Sequence, residues 1–249
     1  MGASPCILVL AGFLGRQDGG NEMKLFKLTI LGCLVVSAML AGTVQPCAQA
    51  SLAAYIGAAN CSIGDLVFGG FNYTPTALGT GMIVSASAIT VIPMNTPGNI
   101  GIEFAANWTG GGSGGTDSAI AYFVATGSGA ATLDAASLSL VGTASGVANA
   151  VLDEYLCPNE AFSPTCANQV HLDQVVGSGS EQPNPSATFA PVNHIGLVKD
   201  IRVYGVTGTA SASQITNNFP SSGVPEPATP LLCLAGLLLL GRLRKNRIA

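Results

Sequence analysis

Few residues in this chain could carry out acid–base or nucleophilic chemistry. The histidines are two, His171 and His194. In His171-Leu172-Asp173 a strand places both polar side chains on one face, and many serines are at hand. A triad is defined by geometry, however, and no spacing here imposes one. Both histidines are therefore read as ordinary surface residues. Gly142-Thr143-Ala144-Ser145-Gly146 puts its serine one place late for a nucleophile elbow. No catalytic residue, metal site or cofactor is assigned, and the chain is expected not to be an enzyme.

Gly111-Gly112-Ser113-Gly114-Gly115-Thr116-Asp117 approaches a calcium turn, but its Asp comes one residue late and the motif occurs once. It reads as a flexible loop. Asp153, Glu154 and Glu160 are the remaining candidate calcium ligands. Trp108 is the only tryptophan. Exposed, it would stack on a sugar ring; a lone Trp in a sandwich more often belongs to the core, which is where it is expected.

The elements that position these residues are β in pattern. Ile100, Ile102 and Phe104 alternate with small or polar residues, as do Leu138 and Leu140, and Ile201 and Val203. Further strands are expected over 66–71, 82–92, 119–126, 147–155, 171–176, 194–198 and 214–219. The stretch 95–99, the run 110–115 and the run 177–185 are Gly-, Pro- and Asn-rich turns. The Ala-rich stretch 133–151 has room for one helix, which its Ser and Gly content weakens. The expected class is all-β: a single antiparallel β-sandwich, jelly-roll or Greek-key like. It is flanked by an N-terminal signal peptide and a C-terminal transmembrane helix.

The ends carry the addressing information. From Met23, Lys24 and Lys27 form a basic region, 28–42 is apolar, and Ala48-Gln49-Ala50 supplies a small-residue cleavage site. Cleavage is expected after Ala50, and translation is expected to start at Met23, since residues 1–22 fit poorly before a signal. At the other end Pro225-Glu226-Pro227 precedes a 14-residue apolar run, 228–241, and then Arg242, Arg244, Lys245 and Arg247. The run covers about 21 Å, short of a hydrocarbon core of about 30 Å. The basic residues after it follow the positive-inside pattern.

This three-part tail resembles the PEP-CTERM sorting signal. The resemblance covers about 25 residues. It implies recognition of Pro225, Glu226 and Pro227 by an exosortase, a transient inner-membrane anchor, and a Gram-negative bacterium that makes exopolysaccharide. Residues 1–50 are thus extension and signal, 51–220 the extracellular domain, and 221–249 the sorting segment.

Once the ends are set aside, the charge changes meaning. Charged residues are 9% of the chain and its net charge is −4. Residues 51–223 hold ten acidic residues against Lys199 and Arg202, a net −8. An acidic body will not bind phosphate backbones, so nucleic acid is not an expected partner. Signal peptidase, exosortase and exopolysaccharide are.

Of seven cysteines, Cys6, Cys33 and Cys233 lie in or near the targeting segments, and Cys47 lies just before the cleavage site. In an oxidising compartment Cys157 and Cys166 close a small loop as a disulfide. Cys61 is left over, either buried as a small hydrophobe or the partner of one of the other two. Pro46 before Cys47 does not fit a lipobox, and without a C-x-x-C pair zinc is not expected. The function expected is an exported, exosortase-processed extracellular or cell-surface protein, non-enzymatic and associated with an exopolysaccharide matrix or biofilm. The alternative is a carbohydrate-binding module or secreted hydrolase on the same sandwich.

Overall fold

The computed structural model describes residues 44–222, apart from 97–98, 128–131, 178–179 and 182–183. The Met23 start, the apolar part of the signal and the sorting segment from residue 223 onward lie outside the described residues. So do Cys6, Cys33 and Cys233. Among the described residues no helix is long and apolar enough to cross a membrane.

The strands in chain order begin with β1 (Gln45–Pro46), β2 (Ala50–Ser51), β3 (Cys61–Ile63), β4 (Leu66–Gly79) and β5 (Thr90–Thr96). Next come β6 (Asn99–Gly111), β7 (Gly114–Thr126), β8 (Thr132–Ala144), β9 (Ala148–Pro158) and β10 (Val170–Gly177). The series closes with β11 (Ser180–Glu181), β12 (Ser186–Val192), β13 (His194–Gly205), β14 (Thr209–Phe219) and β15 (Ser221–Ser222). One helical turn, α1 (Leu52–Tyr55), buries Leu52 and Tyr55.

Two layers follow from the pairing. One runs β10-β9-β13-β7, with β4 and β3 beyond; the other runs β5-β6-β14-β8-β12. They join where β6 turns into β7 through the single pair Gly111–Gly114. Among the described residues all strand pairings are antiparallel except β1 with β3. From β4 onward, besides the β6–β7 turn, the chain crosses between layers at β4–β5, β7–β8, β8–β9, β11–β12, β12–β13 and β13–β14. This is the expected antiparallel sandwich, with jelly-roll-type crossing.

The core follows from period-two alternation. Ile102, Phe104, Leu138, Leu140, Ile201 and Val203 are all buried. Phe68 of β4 meets Phe219 of β14 edge-on, 6.2 Å between centroids. Phe104 and Tyr122 pack at 5.7 Å. In β4 the alternation breaks, because Phe68 and Phe71 are both buried although three residues apart. The register shifts between Gly69 and Asn72, and Gly70 sits at φ 66. An inserted residue in the left-handed region re-aims Phe71 inward, and glycine takes that conformation without a Cβ penalty.

Several expectations are corrected. There is no helix over 133–151: Ala136, Leu138 and Leu140 form the buried face of β8, and Leu152 is buried in β9 of the opposite layer. Side-chain packing at period two overrides the helix preference of alanine. The strand expected over 82–92 begins only at Thr90, after a short turn of 3-10 helix at Ala86–Ala88, and runs past Pro93 to Thr96. Past Val91, β5 pairs only with β6 along that stretch, so Pro93 lies on an edge, where its missing N–H costs no ladder bond. The expected flexible loop at 111–117 is a tight turn at Gly112-Ser113, with Gly114 to Asp117 already in β7.

The cysteine reading is also corrected. Cys61 is not left over: it bonds Cys47, with Cα atoms 4.8 Å apart. The parallel pairing of β1 with β3 brings the two together. Cys47 thus belongs to the folded domain, and β2, which contains the Ala50–Ser51 bond, pairs with β5. A chain cut after Ala50 could not form this disulfide. Cys157 and Cys166 are bonded as expected. Two disulfides point to an extracellular or periplasmic protein.

Candidate functional site

The outer face of β10, β9 and β13 gathers the polar groups. Strand alternation sends Leu152, Glu154 and Leu156 inward and Asp153 and Tyr155 outward. In β10, Leu172, Gln174 and Val176 are buried while His171 and Asp173 face out. In β13, Asp200 and Arg202 face out.

Register then sets the site. Asp173 lies opposite Asp153, and Asp153 lies opposite Asp200, so three carboxylates form one row across three strands. Tyr155 lies opposite His171, and their rings stack at 4.5 Å with 6° between planes. His171 Nε2 donates to Asp153 Oδ1 at 2.9 Å. Arg202 stands 3.6 Å from Asp200 and 3.7 Å from Asp117, the latter on the adjacent β7. The face therefore offers carboxylate acceptors, one guanidinium donor and an aromatic pair.

One edge of this face is fixed by the loop that the Cys157–Cys166 disulfide closes. The Gly196 N–H donates to Glu160 O at 2.9 Å. A Cβ at Gly196 would meet the Phe162 backbone nitrogen at 2.2 Å, so only glycine lets the loop lie this close to β13.

Electrostatics single out Asp200. Burial first, and then Asp117 beside it, raise its carboxyl from 3.8 to about 6, with Arg202 pulling the other way. Between those values the folded state holds the proton that the unfolded chain has released. Stability contributed by Asp200 is therefore present below about pH 4 and is lost as pH rises to about 6. Asp200→Asn is expected to flatten that fall, measured as urea midpoints at pH 4 and pH 7.

The structure separates several residues that sequence reasoning grouped. Asp153, Glu154 and Glu160 do not form a calcium site: Asp153 faces out, while Glu154 is fully buried on the opposite face. Among the described residues no cluster of three His, Cys, Asp or Glu is placed to hold a metal ion. His171 pairs across the strands with Asp153, not along its own strand with Asp173. His194 packs against Phe123 at 5.3 Å. Trp108 is fully buried, and its Nε1 donates to Ser118 Oγ at 3.3 Å.

Ala48 and Ala50 both lie within the folded domain, where Ala48 O accepts from the Tyr55 hydroxyl at 2.6 Å. Pro225, Glu226, Pro227, Arg242, Arg244, Lys245 and Arg247 lie outside the described residues. Sequence reasoning missed the carboxylate row and the Tyr155–His171 pair. The row depends on which strands are neighbours, and β9 pairs with β13, four strands later in the chain.

No protein-family model and no curated protein matches the chain. Among solved structures, a similar chain is TmCBM61 in complex with β-1,4-galactotriose. It is 9% identical, with a TM-score of 0.31, covering 59% of this chain and 87% of that one.

Proposed function

We propose that the chain is an exported, non-enzymatic β-sandwich domain of the cell surface or extracellular matrix that contacts neutral polysaccharide through the outer face of β10, β9 and β13. The observation that carries this reading is the Tyr155–His171 stack beside the row Asp173, Asp153 and Asp200. Carboxylates accept hydrogen bonds from sugar hydroxyls. An aromatic pair at the same level gives the apolar face of a sugar ring a surface to lie on. The acidic body repels phosphate backbones, which leaves uncharged hydroxyl-rich polymers as the suited partner.

Export is supported by the two disulfides and by the signal-like segment after Met23. The tail of Pro225-Glu226-Pro227, apolar run and basic end supports exosortase processing after transient anchoring in the inner membrane. Deleting Pro225 to Pro227 is expected to hold the protein in the membrane fraction. Unchanged release into the medium, followed by immunoblotting, would overturn the exosortase part of the reading.

A hydrolase is the second reading. Asp200, raised to about 6, stands near other carboxylates, and a raised carboxyl near neutral pH is a general-acid trait. Binding of a polysaccharide with no release of reducing ends is the outcome expected. Release of reducing ends that Asp200→Asn abolishes would favour the hydrolase.

A further inference from the structure

Residues 44–222 contain two basic residues, Lys199 and Arg202, and the fold buries one of them completely. Lys199 of β13 and Glu154 of β9 are register partners, both facing into the sandwich. Lys199 Nζ donates to Glu154 Oε2. Asn217 of β14 reaches the same carboxylate from the opposite layer, its Nδ2 donating to Glu154 Oε1 at 3.0 Å. Nδ2 also donates to the Ser137 carbonyl at 3.1 Å, and Asn217 Oδ1 accepts from the Tyr122 hydroxyl at 2.6 Å. All four side chains are shielded from solvent, Tyr122 with 3% exposure and the other three with none.

One carboxylate thus holds an amine on one oxygen and a carboxamide nitrogen on the other. The hydroxyl of Tyr122 meanwhile polarises the carboxamide oxygen. We infer that Lys199 and Asn217 condense into an intramolecular amide that ties the two layers of the sandwich together, with Glu154 carrying the proton.

The step balances without any co-reactant. The Lys199 ammonium gives a proton to Glu154, and the free amine attacks Cγ of Asn217. Tyr122 donates to the oxygen that becomes negative in the tetrahedral intermediate. The Cγ–Nδ2 bond breaks as Glu154 delivers a proton to Nδ2, which leaves as ammonia. Glu154 then takes a second proton from the attached nitrogen, so of the three ammonium protons one remains in the new amide, one has left with ammonia and one ends on Glu154. No electron changes hands.

The environment favours the first step. Burial lowers the Lys199 pKa well below its ordinary value, so the neutral, nucleophilic amine is accessible. The reacting groups are held in place by three strands and need no diffusional encounter. The link would join β13 to β14 across the core, a cross-link that reduction of the disulfides leaves intact.

Peptide mass mapping of the exported protein, after reduction and alkylation, tests this. The expected result is one branched peptide joining the Lys199 and Asn217 segments, lighter by one ammonia than the two separate peptides. Glu154→Gln, checked for native circular dichroism, should yield the two unlinked peptides. Recovery of unmodified Lys199 and Asn217 peptides from the wild type would overturn the inference, and needs no variant to fold. A link one water lighter, joining Lys199 to Glu154, would also overturn it. So would a folded Glu154→Gln protein that still carries the ammonia-loss link.

Discussion

Trp108→Ala is expected to destabilise the domain by about 3–5 kcal/mol, the range for removing a large aromatic from a packed core. Trp108 has no solvent exposure. Its loss leaves a cavity and removes the donor to Ser118 Oγ, which also pairs with the Tyr73 hydroxyl at 2.9 Å. The Tyr73 hydroxyl keeps Ser118 partnered, so the cavity is the main cost. The effect reads out as a lower urea midpoint with an unchanged slope. A loss under about 1 kcal/mol would mean that Trp108 is not in the core.

The second large effect concerns Cys47 and Cys61, 14 residues apart and bonded. A disulfide closing a loop of about 15 residues contributes about 3 kcal/mol by restricting the unfolded chain. Cys61→Ser is expected to lower stability by that amount, and Cys47→Ser by the same. The double variant should cost no more than either single, because one bond is removed in each case. The pairing also fixes a prediction about processing. N-terminal sequencing of the released protein should find a start before Cys47, and a start at Ser51 would contradict the pairing of β1 with β3.

Much of the fold was legible because alternation is a local signal. Ile102 and Phe104, Leu138 and Leu140, and Ile201 and Val203 each declared a buried face within a few residues. Long-range pairing was not legible. Cys61 looked unpaired because its partner lay within the segment assigned to the signal peptide. Alanine content leaves room for a helix over 133–151, but the deciding feature is the period-two set Ala136, Leu138 and Leu140.

The core polar cluster is present in the strand pattern. Lys199 is in phase with Ile195, Leu197, Ile201 and Val203; Glu154 is in phase with Leu152 and Leu156; and Asn217 is in phase with Ile215 and Phe219. A charged or polar side chain at an inward position of a strand is costly unless partnered, so two charges and one carboxamide on three strands foretell a meeting point. What the sequence could not supply was the register that makes them meet. The outer-face row of Asp173, Asp153 and Asp200 had the same barrier, since its members become neighbours only when β9 inserts between β10 and β13.

Contact between the outer face of β10, β9 and β13 and polysaccharide is tested by a glycan array probed with the released wild-type protein and with Tyr155→Ala, which removes the ring that His171 stacks on. The expected result is binding to at least one neutral polysaccharide, weakened at least about tenfold in the variant, which corresponds to about 1.4 kcal/mol. Absence of binding to every glycan, or binding that Tyr155→Ala leaves unchanged, would contradict it.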